Sequence, residues 1–154
     1  MIELKPPTDI SDVSYNGPSV FLAGSIEQGK ASNWQSKFVN AFKDVDYLTV
    51  LNPRREEWDA SWVQSINNKQ FREQVEWELY ALDNATHKVF YFDPDTKSPI
   101  TLFELGRYIT DENVLVCCPN GYWRKGNVDI YCKKYNVPCY YTFEKLLEVF
   151  RTLI

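Results

Sequence analysis

Five short runs of β-branched, aromatic and other apolar residues constrain this chain more than any other feature. The first four are cut off by proline, glycine or aspartate and followed by a polar loop, and each of the five leads into a stretch of helical spacing. The runs are 19–23 before Gly24 and Ser25, 47–51 before Asn52 and Pro53, 88–92 before Asp93 and Pro94, 114–118 before Pro119, and 138–141. Helical spacing is expected over 31–42, 68–83, 100–110 and 127–135, and again from 143. In the second of these helices Phe71, Val75, Leu79 and Leu82 recur every three or four residues and define the expected buried face. Gln74 and Glu78 share an adjacent stripe.

Strands that alternate with helices imply parallel neighbours, because only a crossover connection returns the chain to start a parallel strand. The expected fold is α/β: a flavodoxin-like or Rossmann-like three-layer sandwich around a five-stranded parallel sheet. Residues 1–17 are rich in proline, aspartate, serine and asparagine and show no periodicity, so they read as an irregular arm. Residues 18–154 then form one domain, which suits a chain of 154 residues.

Charge and composition exclude several classes of function. A net charge of -4 and a pI near 5.1 provide no basic stripe, so no nucleic-acid polymer is expected as a partner. No run approaches the ~18 apolar residues of a membrane span, and the opening MIELKPPTDISD lacks the layout of a signal peptide, which points to the cytoplasm and to no membrane partner. The four cysteines lack the spacing of a zinc knuckle and read as free thiols; with a single histidine, His87, no metal is expected. Aromatic residues make up 16 %, with five Trp and ten Tyr, more than a core of this size requires. Some should face a ligand or line a subunit interface.

In a doubly wound sheet the ligand lies outside the carboxyl ends of the strands, where strand order reverses. The loops to search therefore follow residues 23, 51, 93 and 118. The first bears Gly24 but matches neither a dinucleotide fingerprint nor a P-loop. After the third lies Glu104, in the early turns of a helix otherwise lined by Ile100, Leu102, Phe103 and Leu105. A carboxylate there is either a catalytic group or a partner of the helix's positive N-terminal end. Gly106 favours function, since a glycine inside a helix is costly unless something approaches it closely.

FLAGSI after the first strand, a carboxylate-bearing helix before the third, and SPITLFELG after it resemble the nucleoside 2-deoxyribosyltransferase family and its nucleotide N-hydrolase relatives. The resemblance runs from about residue 19 to residue 141. NPRR, SPI-x-L-x-ELG and CPxGYWRxGNV are more specifically similar to the branch named deoxyribosyltransferase-like. The resemblance implies that Glu104 is a nucleophile that forms a glycosyl ester at C1′ of the sugar. It implies that Glu78, where relatives have Asp, protonates the departing base and deprotonates the incoming one. Ser98 matches the position that contacts the sugar 5′ group, Trp58 and Asp59 belong to the loop over the base, and Phe21, Gly24 and Ser25 are expected to bind substrate as well. Asn127 matches a residue that reaches a neighbouring subunit's site, so a homodimer or higher homo-oligomer is implied. Two departures stand out. Phe21 replaces a Tyr that holds the nucleophile near the sugar 2′ carbon, and among nucleotide hydrolases a Phe there accompanies ribonucleotides. Glu27 replaces an arginine for phosphate, which favours a nucleoside over a nucleotide.

Each assignment has a structural alternative. Glu78 can be a solvated helix charge, Ser98 a helix cap ahead of Pro99, Trp58 core packing, and Arg54 and Arg55 ion-pair partners of Glu56 and Glu57. Tyr122, Trp123 and Arg124 fit a site wall or a subunit interface. The reading is N-glycosidic bond cleavage with transfer of a (2-deoxy)ribosyl group between nucleobases through Glu104, with no cofactor. The substrates would be a nucleoside or nucleotide and a free nucleobase. The alternatives are a nucleoside or nucleotide N-hydrolase, ribosyl in the light of Phe21, and a non-catalytic nucleoside or nucleotide sensor.

Overall fold

The computed structural model describes residues 1–13, 15–26, 31–55, 59 and 61–154. The chain runs β1 (Ile2–Leu4), β2 (Ser19–Gly24), α1 (Trp34–Ala41), β3 (Thr49–Leu51), α2 (Lys69–Asn84), β4 (His87–Tyr91), α3 (Pro99–Tyr108), β5 (Val114–Cys117), α4 (Lys125–Tyr135), β6 (Cys139–Tyr140) and α5 (Phe143–Leu153). All strand pairs are parallel, and the sheet order is β1-β3-β2-β4-β5-β6.

The sheet therefore has six strands where five were expected. The additional one, β1, comes from within the N-terminal stretch read as irregular. At three residues it is too short to show a period of two, and it is defined by its partner: Ile2 N donates to Leu48 O, Asn52 N donates to Leu4 O, and Asn52 Nδ2 donates to Glu3 Oε1 at 2.7 Å.

Side chains alternate across the sheet with a period of two. Val20, Leu22, Val50, Val89, Tyr91, Leu115 and Cys117 point to one face, where Trp34 and Phe38 of α1 and Leu146 and Phe150 of α5 cover them. Phe21, Ala23, Leu51, Phe90, Val114 and Val116 point to the other, beneath Trp77, Ala81 and Leu82 of α2, Leu105 and Tyr108 of α3, and Val128 and Cys132 of α4. The layers are thus helix, sheet, helix, as expected. β3 lies on one side of β2 and β4 on the other, so the order reverses between β2 and β4 and opens a crevice beyond their carboxyl ends.

The buried face of α2 differs from the expected one. Gln74, Trp77, Ala81 and Leu82 are buried, Phe71 and Val75 are partly buried, and Leu79 is 46 % exposed. The inward stripe is rotated toward Gln74 and Glu78, so polar residues occupy the interior where α2 passes the crevice. All four cysteines are free: Cys117, Cys118 and Cys132 are buried and Cys139 is partly buried. Among the described residues, no helix is long and apolar enough to cross a membrane.

Candidate active site

Three strands end at the crevice. β2 delivers Gly24 and Ser25, β4 leads through Tyr91 to Asp93, and β3 leads to Asn52 and Pro53. Gly24 is required by packing: a Cβ there would stand 2.5 Å from Tyr91 O and 2.7 Å from the Trp34 ring. This close approach lets Ser25 N donate to Tyr91 O, and it seats the Ser25 hydroxyl where Asp93 N donates to it at 3.0 Å.

Ser25, Thr96 and Ser98 form a buried ring of hydroxyls. Thr96 Oγ1 donates to Ser25 Oγ at 2.8 Å and lies 2.7 Å from Ser98 Oγ, and Ser25 Oγ and Ser98 Oγ are directly bonded. Thr96 itself is set by an Asx turn, in which Asp95 N donates to Asp93 Oδ1 and Thr96 N to Asp93 O. The other oxygen of Asp93, Oδ2, accepts from Ser32 N at 3.0 Å and Ser32 Oγ at 2.7 Å, which ties the β2–α1 loop to the β4–α3 loop. Sequence reasoning missed Thr96, Asp93 and Ser32, although the Asp-Pro-Asp-Thr stretch is a readable turn.

Ser98 stands at the N-cap of α3 with Pro99 following, but its hydroxyl makes no cap bond; it is spent on the ring. Its backbone is left-handed, φ 47° and ψ 52°, a conformation that costs a non-glycine residue about 1 kcal/mol. Lys97, next to it, is braced from β5's far side: Tyr122 Oη and Trp123 Nε1 both donate to Lys97 O, at 2.7 and 3.0 Å, and Arg124 stacks on Trp123. Tyr122 and Trp123 therefore hold the loop that presents Ser98.

Glu104 and Glu78 lie on the inward stripes of neighbouring helices. In α3 the buried residues are Thr101, Leu105 and Tyr108, and Glu104 belongs to that i, i+3, i+4, i+7 row. In α2, Glu78 falls between Gln74 and Trp77 on one side and Ala81 and Leu82 on the other. Tyr108 Oη donates to Asp83 Oδ1 at 2.8 Å and fastens the two helices. Both glutamates are partly buried. Burial raises the Glu78 carboxyl to about 7, against a counteracting hydrogen bond from Gln74 Nε2 at 2.7 Å. Burial, and then the charge of Glu78, raises Glu104 to about 8. Two carboxyls that sense one another in a desolvated crevice resist being ionised together, and they titrate as a pair.

The other expected site residues fall as follows. Phe21 is 1 % exposed, in the core under Trp77, with ring centroids 6.4 Å apart. Asp59 is exposed and accepts from Ser61 N at 2.8 Å; hydrogen bonds from the Ser61 side chain and then its backbone lower the Asp59 pKa. Asn127 is exposed in the first turn of α4. Trp58, Glu27, Glu56 and Glu57 lie outside the described residues. Arg54 Nη1 donates to Gln35 Oε1 at 3.3 Å, and the Arg55 guanidinium lies over Trp62.

A family model described as nucleoside 2-deoxyribosyltransferase like matches residues 17–122. The chain belongs to that family. No curated protein is similar enough to be matched. The matched span of this nucleoside 2-deoxyribosyltransferase-like chain takes in β2 to β5 with Ser25, Glu78, Ser98 and Glu104, and ends before Asn127.

Proposed function

We propose that this chain cleaves N-glycosidic bonds and transfers a (2-deoxy)ribosyl group between nucleobases through a covalent ester on Glu104. The observation that supports it is the pair of desolvated carboxyls, Glu78 and Glu104, on facing stripes of α2 and α3 beside the switch point of the sheet. Pairs of carboxyl groups with raised and mutually dependent pKa values are the equipment of retaining glycosidic chemistry. In the first step ionised Glu104 bonds to C1′ while the bond from C1′ to the base nitrogen breaks. The electron pair leaves with the base, which takes the proton of Glu78. In the second step Glu78, now a carboxylate, removes a proton from an incoming base, whose nitrogen bonds to C1′ as the ester oxygen of Glu104 departs. The first step needs one proton on the pair, carried by Glu78; values of about 7 and about 8 keep one proton there near neutral pH, resting mostly on Glu104, so the reactive form is the one in which that proton has moved to Glu78. No cofactor enters. Contact of Ser98 with the sugar's 5′ group would require its hydroxyl to leave its bonds to Thr96 and Ser25.

A second reading, an N-hydrolase acting on a ribosyl substrate with water as acceptor, has Phe21 in its favour. Its ring is buried against Trp77 and brings no hydroxyl to the sugar 2′ carbon.

The reading includes a cytoplasmic homo-oligomer in which Asn127 reaches a neighbouring site. Supporting it, Leu79, Ile100 and Phe103 are 46, 63 and 77 % exposed; the close approach expected at Gly106 is not made by any described residue within 4 Å of a Cβ added there. Sedimentation velocity that finds a monomer at micromolar concentration would remove this part.

The deciding experiment incubates purified protein with deoxynucleosides, ribonucleosides and their monophosphates, each with and without a second free base, beside Glu104→Ala. Base exchange in the wild type, reduced by about 10³-fold or more in the variant, is the expected result. Free base without exchange selects the hydrolase, and binding without turnover on any substrate overturns both.

A further inference from the structure

The one polar side chain buried beside Glu78 on α2 is Gln74, only 4 % exposed. Its Nε2 makes two hydrogen bonds, to Glu78 Oε1 at 2.7 Å and to Pro53 O at 3.0 Å, so both amide protons are used. Its Oε1 is buried with no hydrogen-bond partner among the described residues. A glutamine amide can turn over and exchange its oxygen and nitrogen, and doing so would give Oε1 a new environment. Pro53 O forbids it, because a backbone carbonyl only accepts, and the turned amide would set oxygen against oxygen. Pro53 is itself fixed at the end of β3, beside Asn52, whose side chain is held by Glu3 and whose Oδ1 accepts from Arg54 N. The amide is therefore locked with its donor toward Glu78, and the orphaned Oε1 is the cost of that lock, of a kind retained where a buried polar group serves a purpose.

We propose that Gln74 is the positioning residue of the acid/base carboxyl, a donor locked by Pro53 O that holds Glu78 Oε1 and leaves Oε2 to exchange the proton with the base. The proposal rests on Glu78 serving as that acid/base. A locked donor stabilises the carboxylate and not the acid. It counters the burial that would otherwise keep Glu78 protonated, and so preserves the form that must deprotonate the incoming base. Burial and Gln74 govern Glu78, burial and Glu78 govern Glu104 across from it on α3, and no further charge among the described residues enters either shift. Phe21 and Trp77, packed nearby, carry no charge.

The test follows the Glu78 carboxyl directly by ¹³C NMR on protein labelled at glutamate, with the Glu78 signal assigned by its loss in Glu78→Gln. In Gln74→Met, which keeps the volume and removes the donors, the Glu78 midpoint rises by about one pH unit, and the alkaline limb of base release, which needs Glu78 protonated, rises with it. An unchanged midpoint in folded Gln74→Met overturns the proposal. Should that variant not fold, the wild-type amide decides: the Gln74 side-chain protons exchange slowly with water and shift with the Glu78 midpoint if the lock exists. Fast exchange without such a shift overturns it. Full turnover in Glu78→Gln would instead remove the acid/base reading beneath it. An inactive Glu78→Gln together with an unmoved midpoint in Gln74→Met sinks the Gln74 proposal alone.

Discussion

In the role proposed for it, Glu104 sets function against stability. Its carboxyl ionises at about 8 in the folded protein against an ordinary 4.5, so the folded state holds the proton more tightly than the unfolded chain does. Stability is then greatest below about pH 4.5 and falls as pH rises through about 8. Glu104→Gln keeps the shape, removes the ionisation and so should be the more stable protein at pH 8, by about 2 kcal/mol or about 4–8 °C in Tm for a chain of this length. The gain should vanish at pH 4.5. Thermal unfolding followed by circular dichroism at the two pH values checks this; an equal gain at both would mean that the charge is not its source. The place of Glu104 on the inward row of α3 was legible in the sequence as a carboxylate just past a strand end in an otherwise apolar helix, while its role as nucleophile comes from the family resemblance and stays a proposal. The inward turn of Glu78 was not, since Phe71, Val75 and Leu79 outweigh Gln74 and Glu78 in any count of apolar residues. A polar stripe is buried here only because α2 borders a crevice, and that is a tertiary fact.

At the scale of elements, the start of α3 does two jobs with one residue. Ser98 followed by Pro99 reads as a helix start, and the helix does begin there. The left-handed turn that carries the Ser98 hydroxyl away from a cap and onto Thr96 and Ser25 has no local sequence signal, because the bond partners come from 2 and 73 residues away. Two variants separate the hydroxyl from the backbone. Ser98→Ala loses the hydroxyl and keeps the unfavourable φ, and should cost about 1–2 kcal/mol in urea unfolding. Ser98→Gly loses the same hydroxyl but relaxes the left-handed backbone, and should be more stable than Ser98→Ala by about 1 kcal/mol. The order is the reverse of what removal of atoms alone would give, and finding Ser98→Ala the more stable of the two would dismiss the backbone argument. β1 is the opposite kind of element: three residues with no pattern of their own, specified by the edge of β3.

Across the whole molecule, β4 connects two titrating regions of opposite sense. At its start His87 is 5 % exposed, its ring is edge-on to Phe150, and its Nδ1 is buried without a hydrogen-bond partner among the described residues. Burial, then the charge of Lys88, lowers its pKa below 6.5, so the folded state favours neutral imidazole and loses stability as pH falls below that value. Beyond the other end of β4 lies the carboxyl pair, which loses stability as pH rises. The two effects oppose each other where their ranges overlap, His87 losing stability as pH falls below 6.5 and Glu104 as pH rises from about 4.5 to about 8, and each should yield to a separate substitution. His87→Phe should remove the loss on acidification and leave the loss on raising the pH, and Glu104→Gln should do the converse. The five residues of β4 span on the order of 15 Å, beyond the range at which sites usually couple. In the double variant the two effects should therefore add within about 0.5 kcal/mol at every pH. Thermal unfolding of the four proteins between about pH 5 and about pH 8.5 measures the sum. An interaction above about 1 kcal/mol would mean that protonation at the base of the sheet is transmitted along β4 to the crevice, and the independence of core and site assumed here would have to be abandoned.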